Sequence, residues 1–565
     1  VGVAHPALSR RRRRRLKRLL TRALPLVLIA AGAFGAGFWE AGAAGRDARG
    51  IARRYVTAWT RREFPEMYRL LTPGSRREIG ERAFATAYTA AASTATLVSV
   101  RMISVGGFSN GDVSVKMAAR THIFGVIDRP LEVPVDTSSG GVVFSPALLF
   151  PGVHAGEQLH RTTYLAARGT LLADDRVPLA EGPNRTSSIP QVASEIVGSL
   201  GPIPAAVRAH YLAEGYPPSA QIGLSGLELA FQRRLAGHPG GTLYAGHRVL
   251  ARVIATAGET VRTTIDPTIE EAAIAALGNS YAGMTVINPR TGAVLALAGI
   301  AYALQPPGST FKIITATAAL QSGLATLETE YPVESTADVG GYILQNANKE
   351  ACGGTLIEAF AVSCDTVFAP LGIQVGAQRL VSTAELYGFN HAAGIRGAPE
   401  STLPSAATIG DETAIGSSAI GQGDVLASTL EIADVGATIA DGGRRPIPTL
   451  LFGARPRFVR VTSGTVANEV EQMMEAVVAY GTGTAAQISG VVVAGKTGTA
   501  ELANTANQQN NKAETDGWFV GYAPAGVAGH AKVVAAALFP NAGYGAQTAA
   551  PAVREAIETA LATKY

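Results

Sequence analysis

At 565 residues the chain exceeds one ordinary core and has room for about three or four folded units. With 47% hydrophobic and 16% charged residues it is not a disordered chain. Its formal charge of +4 comes from residues 1–22, which hold nine Lys and Arg and no acid and leave the rest at net −5, so a phosphate-tracking surface on a folded domain, and with it a nucleic-acid partner, is excluded.

In chain order, the basic segment 1–22 runs directly into residues 23–39, which are uncharged and end at Trp39. That pattern predicts a transmembrane signal anchor with the basic segment cytoplasmic and the body outside the plasma membrane. The alternative is a cleaved signal peptide, because Ala41-Gly42-Ala43 resembles a small-residue cleavage site; both readings export the body. Ile51, Tyr55 and Trp59 recur every four residues and predict an amphipathic helix, and a second helix is expected near 76–90. Val98, Val100 and Met102, then Val113, Val115 and Met117, alternate across a Gly- and Asn-rich turn and predict an antiparallel hairpin. A small α+β domain over 46–150 follows. From 153 to 270, recurring Pro and Gly point to an irregular pedestal. Beyond it, residues 269–277 read as a helix, 284–287 and 293–297 as paired strands, and 271–565 as one large mixed domain.

Three elements carry chemistry. Pro306-Pro307-Gly308-Ser309-Thr310-Phe311-Lys312 opens an apolar helix, placing Ser309 where free N–H groups favour negative charge, with Lys312 on the same face. The chain uses Arg five times as often as Lys, and only Lys can give up its proton, so Lys312 reads as a required amine able to activate Ser309. Ser363-Cys364-Asp365 is the second element. The third is a predicted strand over 491–500 carrying Lys496-Thr497-Gly498-Thr499, whose small residues would let a peptide approach the backbone. Taken singly, the last two also fit a surface turn and a Gly-rich edge strand. Cys352 and Cys364 are the only cysteines and either pair or remain buried thiols. Nine histidines show no ligand spacing, so neither a metal nor a cofactor is expected. Gly107-Phe108-Ser109-Asn110-Gly111 satisfies G-x-S-x-G but falls in a hairpin turn, not in the strand-to-helix elbow that motif needs.

Together and in order, S-x-x-K, S-x-[N/D] and K-T-G resemble the motifs of penicillin-binding proteins and serine β-lactamases. Ala419–Ala427, Gly481–Thr484 and Gly517–Tyr522 are similar to further parts of the transpeptidase domain. Arg168-Gly169, Gly223–Phe231 and Thr263–Asp266 resemble the pedestal, or dimerisation, domain of class B members, and 46–150 the cone-shaped N-terminal domain of methicillin-resistance-type members. The resemblance implies a multidomain α+β protein: an antiparallel sheet flanked by helices, on an irregular pedestal and a cone-shaped domain, with one transmembrane helix. It implies a peptidoglycan D,D-transpeptidase acting on stem peptides and acylated by β-lactams, with a glycosyltransferase and other wall-synthesis proteins as partners. Ser309 would be nucleophile, Lys312 general base, Ser363 proton relay and Lys496 a polarising group. Thr497, Gly498 and Thr499 would bind substrate, and the N–H groups of Ser309 and Thr499 would form the oxyanion hole. Asp365 departs from the usual Asn: a carboxylate only accepts hydrogen bonds and favours the ammonium form of a nearby lysine. That substitution motivates an alternative, a catalytically weak scaffold; a β-lactamase or penicillin sensor shares the motifs.

Overall fold

The computed structural model describes residues 44–346, 349–501, 515–526 and 530–564. The candidate span 23–39 and the run 41–43 lie outside them. Among the described residues no helix is long and apolar enough to cross a membrane.

Two compact units are present. One comprises the described residues up to Ala166 with Pro202–Ala220 and His238–Thr256; the other comprises Ala167–Gly201, Gln221–Gly237 and the described residues from Ala257 onward. The segment 153–270 thus contributes to both.

In the first unit, helix 44–60 buries Ile51, Tyr55 and Trp59 as its period requires. Tyr88 donates its hydroxyl to Leu148 O at 3.1 Å and receives that of Tyr55 at 2.7 Å, so neither buried phenol lacks a partner. The helix expected near 76–90 is instead two, Pro73–Glu78 and Glu81–Thr94, separated by extended backbone at Ile79 and Gly80. Strands Leu97–Ser109 and Asp112–Thr121 pair antiparallel around Asn110-Gly111. Both turn residues have positive φ, 54° and 87°, the requirement of a tight two-residue hairpin, so the G-x-S-x-G sequence spans the end of a strand and its turn and forms no strand-to-helix elbow. A third strand, Val126–Asp136, is disguised by Pro130 and Pro134. Their carbonyls accept from Gly152 and Val143, on the side away from Asp112–Thr121, so their missing N–H groups cost that ladder nothing.

In the second unit, Arg168 and Arg185 converge on the buried Glu228, at 2.7 and 2.6 Å. Glu228→Ala strands two guanidinium groups and is expected to destabilise this unit by about 3–5 kcal/mol, read as a lower midpoint in denaturant unfolding.

The large sheet of this unit has five antiparallel strands in the order Val294–Gly299, Gly283–Ile287, Val533–Phe539, Thr515–Ala523, Ala494–Glu501. Along Val533–Phe539 the side chains alternate between two cores. Val533, Ala535 and Ala537 meet helices Pro267–Leu277 and Ala549–Thr563; Val534, Ala536 and Leu538 meet the layer containing Lys312–Gln321 and Thr429–Ala440. Burial on both faces explains why that strand reads as one continuous apolar run. The hairpin and helix expected between 269 and 297 are present. Glu270 lies in this core, where burial above all pushes its carboxyl up to about 8 despite an N–H bond from Leu297. It is neutral in the fold while an unfolded glutamate ionises near 4.5, so its contribution is full below pH 4.5 and is lost as pH rises towards 8. Glu270→Gln keeps the acceptor and removes the ionisation. It should leave the midpoint unchanged near pH 4.5 and stabilise at pH 8 by on the order of a few kcal/mol, measured by thermal unfolding at both.

Candidate active site

The two prolines lead into a 3-10 turn, Gly308–Phe311, that continues as helix Lys312–Gln321. Ser309 therefore sits in the 3-10 turn and not in α-helix. In that tighter winding residues three apart eclipse, so Lys312, which opens the following helix, lies on the same face as Ser309. Gly308 takes φ +52° and packs so closely on the neighbouring strand that a Cβ would lie 2.7 Å from Thr499 O. A Cβ on Gly498 would lie 2.7 Å from Pro307 O. Backbone thus meets backbone, and this sets Ser309 beside Thr499.

Strand Ala494–Glu501 begins three residues later than its apolar run suggests. It is an edge, pairing only with Thr515–Ala523 among the described strands. An edge strand offers unpaired N–H and C=O groups to an extended peptide.

Ser363 joins helices Leu356–Ala361 and Asp365–Val375 at φ +62°, a conformation that costs a residue with a Cβ and persists only when its surroundings impose it. Several do. Ser363 N–H donates to Phe360 O and Cys364 N–H to Ala359 O, at 3.0 and 2.8 Å. A capping box between Thr355 and Glu358 fixes the helix before it. Cys364 is disulfide-bonded to Cys352 on strand Cys352–Thr355, which resolves the two alternatives for the cysteines. Asn346 holds the start of the next helix, accepting from Thr366 N–H at 2.9 Å and donating to its hydroxyl at 3.1 Å.

Ser363 is where the three motifs meet. Lys312 Nζ lies 2.6 Å from Asp365 Oδ1, 2.7 Å from Ser363 O and 3.3 Å from Ser363 Oγ. Lys496 Nζ lies 2.9 Å from Ser363 Oγ and 3.0 Å from Thr497 O. Both lysines are fully buried and Ser309 is 8% exposed. Burial holds the Lys312 amine below its ordinary value, against a smaller opposing pull from the charge and hydrogen bond of Asp365. Lys496 is pushed down further, by burial and by the positive Lys312, with a smaller opposing pull from Asp365. The ring of Phe368 lies under Lys312 and that of Phe360 under Lys496, centroids at 5.7 and 5.4 Å.

Four side chains of this arrangement carry no motif of their own: Asn346, Phe360, Phe368 and Thr482. Thr482 shares a hydroxyl contact of 2.6 Å with Thr497 and sits in the Gly481–Thr484 segment, the one available signal for it. Among the described residues no cluster of three or more His, Cys, Asp or Glu could hold a metal.

Residues 282–558 match the penicillin-binding protein transpeptidase domain, and residues 164–263 the penicillin-binding protein dimerisation domain. The peptidoglycan D,D-transpeptidase PbpA of Mycolicibacterium smegmatis is 32% identical over 369 residues, covering 54% of this chain and 73% of the relative. PbpA of Mycobacterium tuberculosis H37Rv is 34% identical over 284 residues, 45% of this chain and 55% of the relative, so the chain spans about half of that protein. The solved D,D-transpeptidase domain of a peptidoglycan glycosyltransferase from Eggerthella lenta aligns with a TM-score of 0.58 at 30% identity, over 71% of this chain and 99% of that one. With its motif residues gathered around one serine, the chain belongs to the class B penicillin-binding proteins, carrying a transpeptidase domain and a dimerisation domain.

Proposed function

We propose that the chain is a peptidoglycan D,D-transpeptidase that cross-links stem peptides through an acyl-enzyme on Ser309 and is inhibited covalently by β-lactams. The observation that carries this reading is the meeting of two buried lysines on one serine hydroxyl, beside a serine in a helix-initiating turn and an open edge strand. Ser309 attacks the carbonyl of the penultimate D-alanine, terminal D-alanine leaves, and an amine of a neighbouring stem peptide takes the acyl group. Thr497 and Thr499 bind the substrate or β-lactam carboxylate, Gly498 gives the peptide access to the strand, and the N–H groups of Ser309 and Thr499 receive the oxyanion.

Residues 23–39 serve as membrane anchor and 1–22 as cytoplasmic segment, with 46–150, 153–270 and 271–565 as cone-shaped, pedestal and transpeptidase domains. The disulfide supports an extracytoplasmic, oxidising location. The reaction acts on preformed glycan strands, so a glycosyltransferase must work upstream of it. One observation favours a second reading, a catalytically weak scaffold: Asp365 holds Lys312, the lysine expected to activate Ser309.

Intact-protein mass spectrometry after exposure to benzylpenicillin separates the readings. A stable penicilloyl adduct on the peptide containing Ser309 is expected. Rapid loss of the adduct would indicate a β-lactamase, and no adduct at all a scaffold.

A further inference from the structure

Helix Asp365–Val375 brings Asp365 to Lys312, yet the residue before it supplies no cap. That residue is Cys364, whose side chain makes no capping hydrogen bond and is tied to Cys352 in the disulfide. The cap comes from elsewhere in the chain. Asn346, 7% exposed, accepts from the Thr366 N–H at 2.9 Å, the second N–H of the helix and one of the two that an N-cap side chain ordinarily takes. Its amide nitrogen donates to Thr366 Oγ1 at 3.1 Å, to Glu334 O at 2.9 Å and to Glu350 O at 3.0 Å, so one side chain ties the helix start to the segment that leads into strand Cys352–Thr355.

We propose that Asn346 is a positioning residue for acylation: it caps this helix in place of Cys364 and thereby holds Asp365 against Lys312. This inference rests on the reading of Ser309 as the acylated nucleophile and of Lys312 as its base. The Thr366 N–H belongs to the peptide group that starts at Asp365 Cα, and a peptide group is planar. Fixing that N–H therefore orients the Cα from which the Asp365 carboxylate reaches Lys312 Nζ, at 2.6 Å. Asn346 acts through Asp365 and not on the reacting atoms.

The surrounding contacts agree with this assignment. Asn346 grips Thr366 by both its N–H and its hydroxyl, and that hydroxyl lies 3.2 Å from Cys364 Sγ and 3.3 Å from Glu334 O. The disulfide joins the same two segments, but through Cys364, on the other side of Asp365. Asp365 is thus held from both neighbours, Cys364 by the disulfide and Thr366 by Asn346. The pairing needs both, because a shift of about 1 Å takes Asp365 Oδ1 out of hydrogen-bond range of Lys312.

Asn346→Ala tests the role, with the disulfide keeping helix and strand joined in the variant. The readout is the benzylpenicillin acylation rate of the full chain, with Asp365 present and with Asp365→Asn. In the unaltered background the second substitution should raise the rate by about tenfold for each pK unit it takes from Lys312. In Asn346→Ala it should change the rate by less than about twofold, because the carboxylate no longer bears on Lys312. With Asp365 in place, Asn346→Ala should also move the pH midpoint of acylation down towards that of Asp365→Asn, since an ammonium that loses its carboxylate gives up its proton at lower pH. Lys496, the other charged group facing Lys312, is the same in all of these proteins. A loss of stability alone would lower the rates together and move neither the ratio nor the midpoint. If Asn346→Ala does not fold, Asn346→Ser replaces it, leaving room for a water to serve the Glu334 and Glu350 carbonyls. An Asp365→Asn effect undiminished in the variant background, an unmoved midpoint, or no Asp365→Asn effect in the unaltered chain would overturn the Asn346 assignment alone. No adduct on the unaltered chain would overturn the Ser309 reading and this inference with it.

Discussion

Ser309→Ala is expected to abolish penicilloyl adduct formation, lowering the acylation rate by at least about 10⁴-fold, while changing the unfolding free energy by no more than about 1 kcal/mol. Acylation needs an oxygen that forms a bond to the carbonyl carbon, and the methyl of alanine has none. The fold does not need that oxygen. Ser309 is 8% exposed at the mouth of its 3-10 turn, and the turn is set by backbone packing of Gly308 on Thr499, which Ala preserves. Pairing the adduct measurement with circular dichroism of the variant separates chemistry from folding. An adduct of unchanged yield on folded Ser309→Ala would place the nucleophile elsewhere and sink the transpeptidase reading of this serine.

Asp365→Asn is expected to accelerate acylation, by about tenfold for each pK unit that the Lys312 amine falls when the carboxylate is removed. The structure supplies the reason: Asp365 Oδ1 lies 2.6 Å from a fully buried Nζ, and in that setting a carboxylate stabilises the ammonium strongly. Asn keeps the shape and one acceptor, removes the charge, and adds a donor that can face substrate. Lys312 can then lose its proton more readily and serve as the base for Ser309. Stopped-flow acylation of both proteins across a pH series measures the change. An unchanged rate would mean that Asp365 does not restrain the site, and a slower one would make the carboxylate part of the machinery.

Local patterns were enough to read many elements correctly. Ile51, Tyr55 and Trp59 fixed a helix because one face had to be buried, and alternation on either side of Asn110-Gly111 fixed a hairpin because only a turn tolerant of positive φ closes it so tightly. Patterns failed where a tertiary ladder overrode local preference. Pro130 and Pro134 argue against a strand until the carbonyl partners Gly152 and Val143 show that their missing donors point away from the inner ladder. The helix expected near 76–90 broke at Ile79-Gly80, and Ser309 took a 3-10 turn because backbone contact between Gly308 and Thr499 tightens the helix start.

By itself the sequence determined the chemistry available to this protein. Scarce lysine against abundant arginine singled out Lys312 and Lys496, and three ordered motifs identified the family and the candidate nucleophile. Only the tertiary structure decided how those groups are arranged. Ser309, Ser363 and Lys496 are separated by 54 and 133 positions in the chain, and nothing in their spacing says which lysine Asp365 holds. That choice is made by position, Lys312 Nζ lying 2.6 Å from Asp365 Oδ1, set where a left-handed Ser363, a disulfide at Cys364 and an edge strand come together. Asn346, Phe360, Phe368 and Thr482 joined the site for the same reason: their roles come from what they face, and facing is a property of the fold.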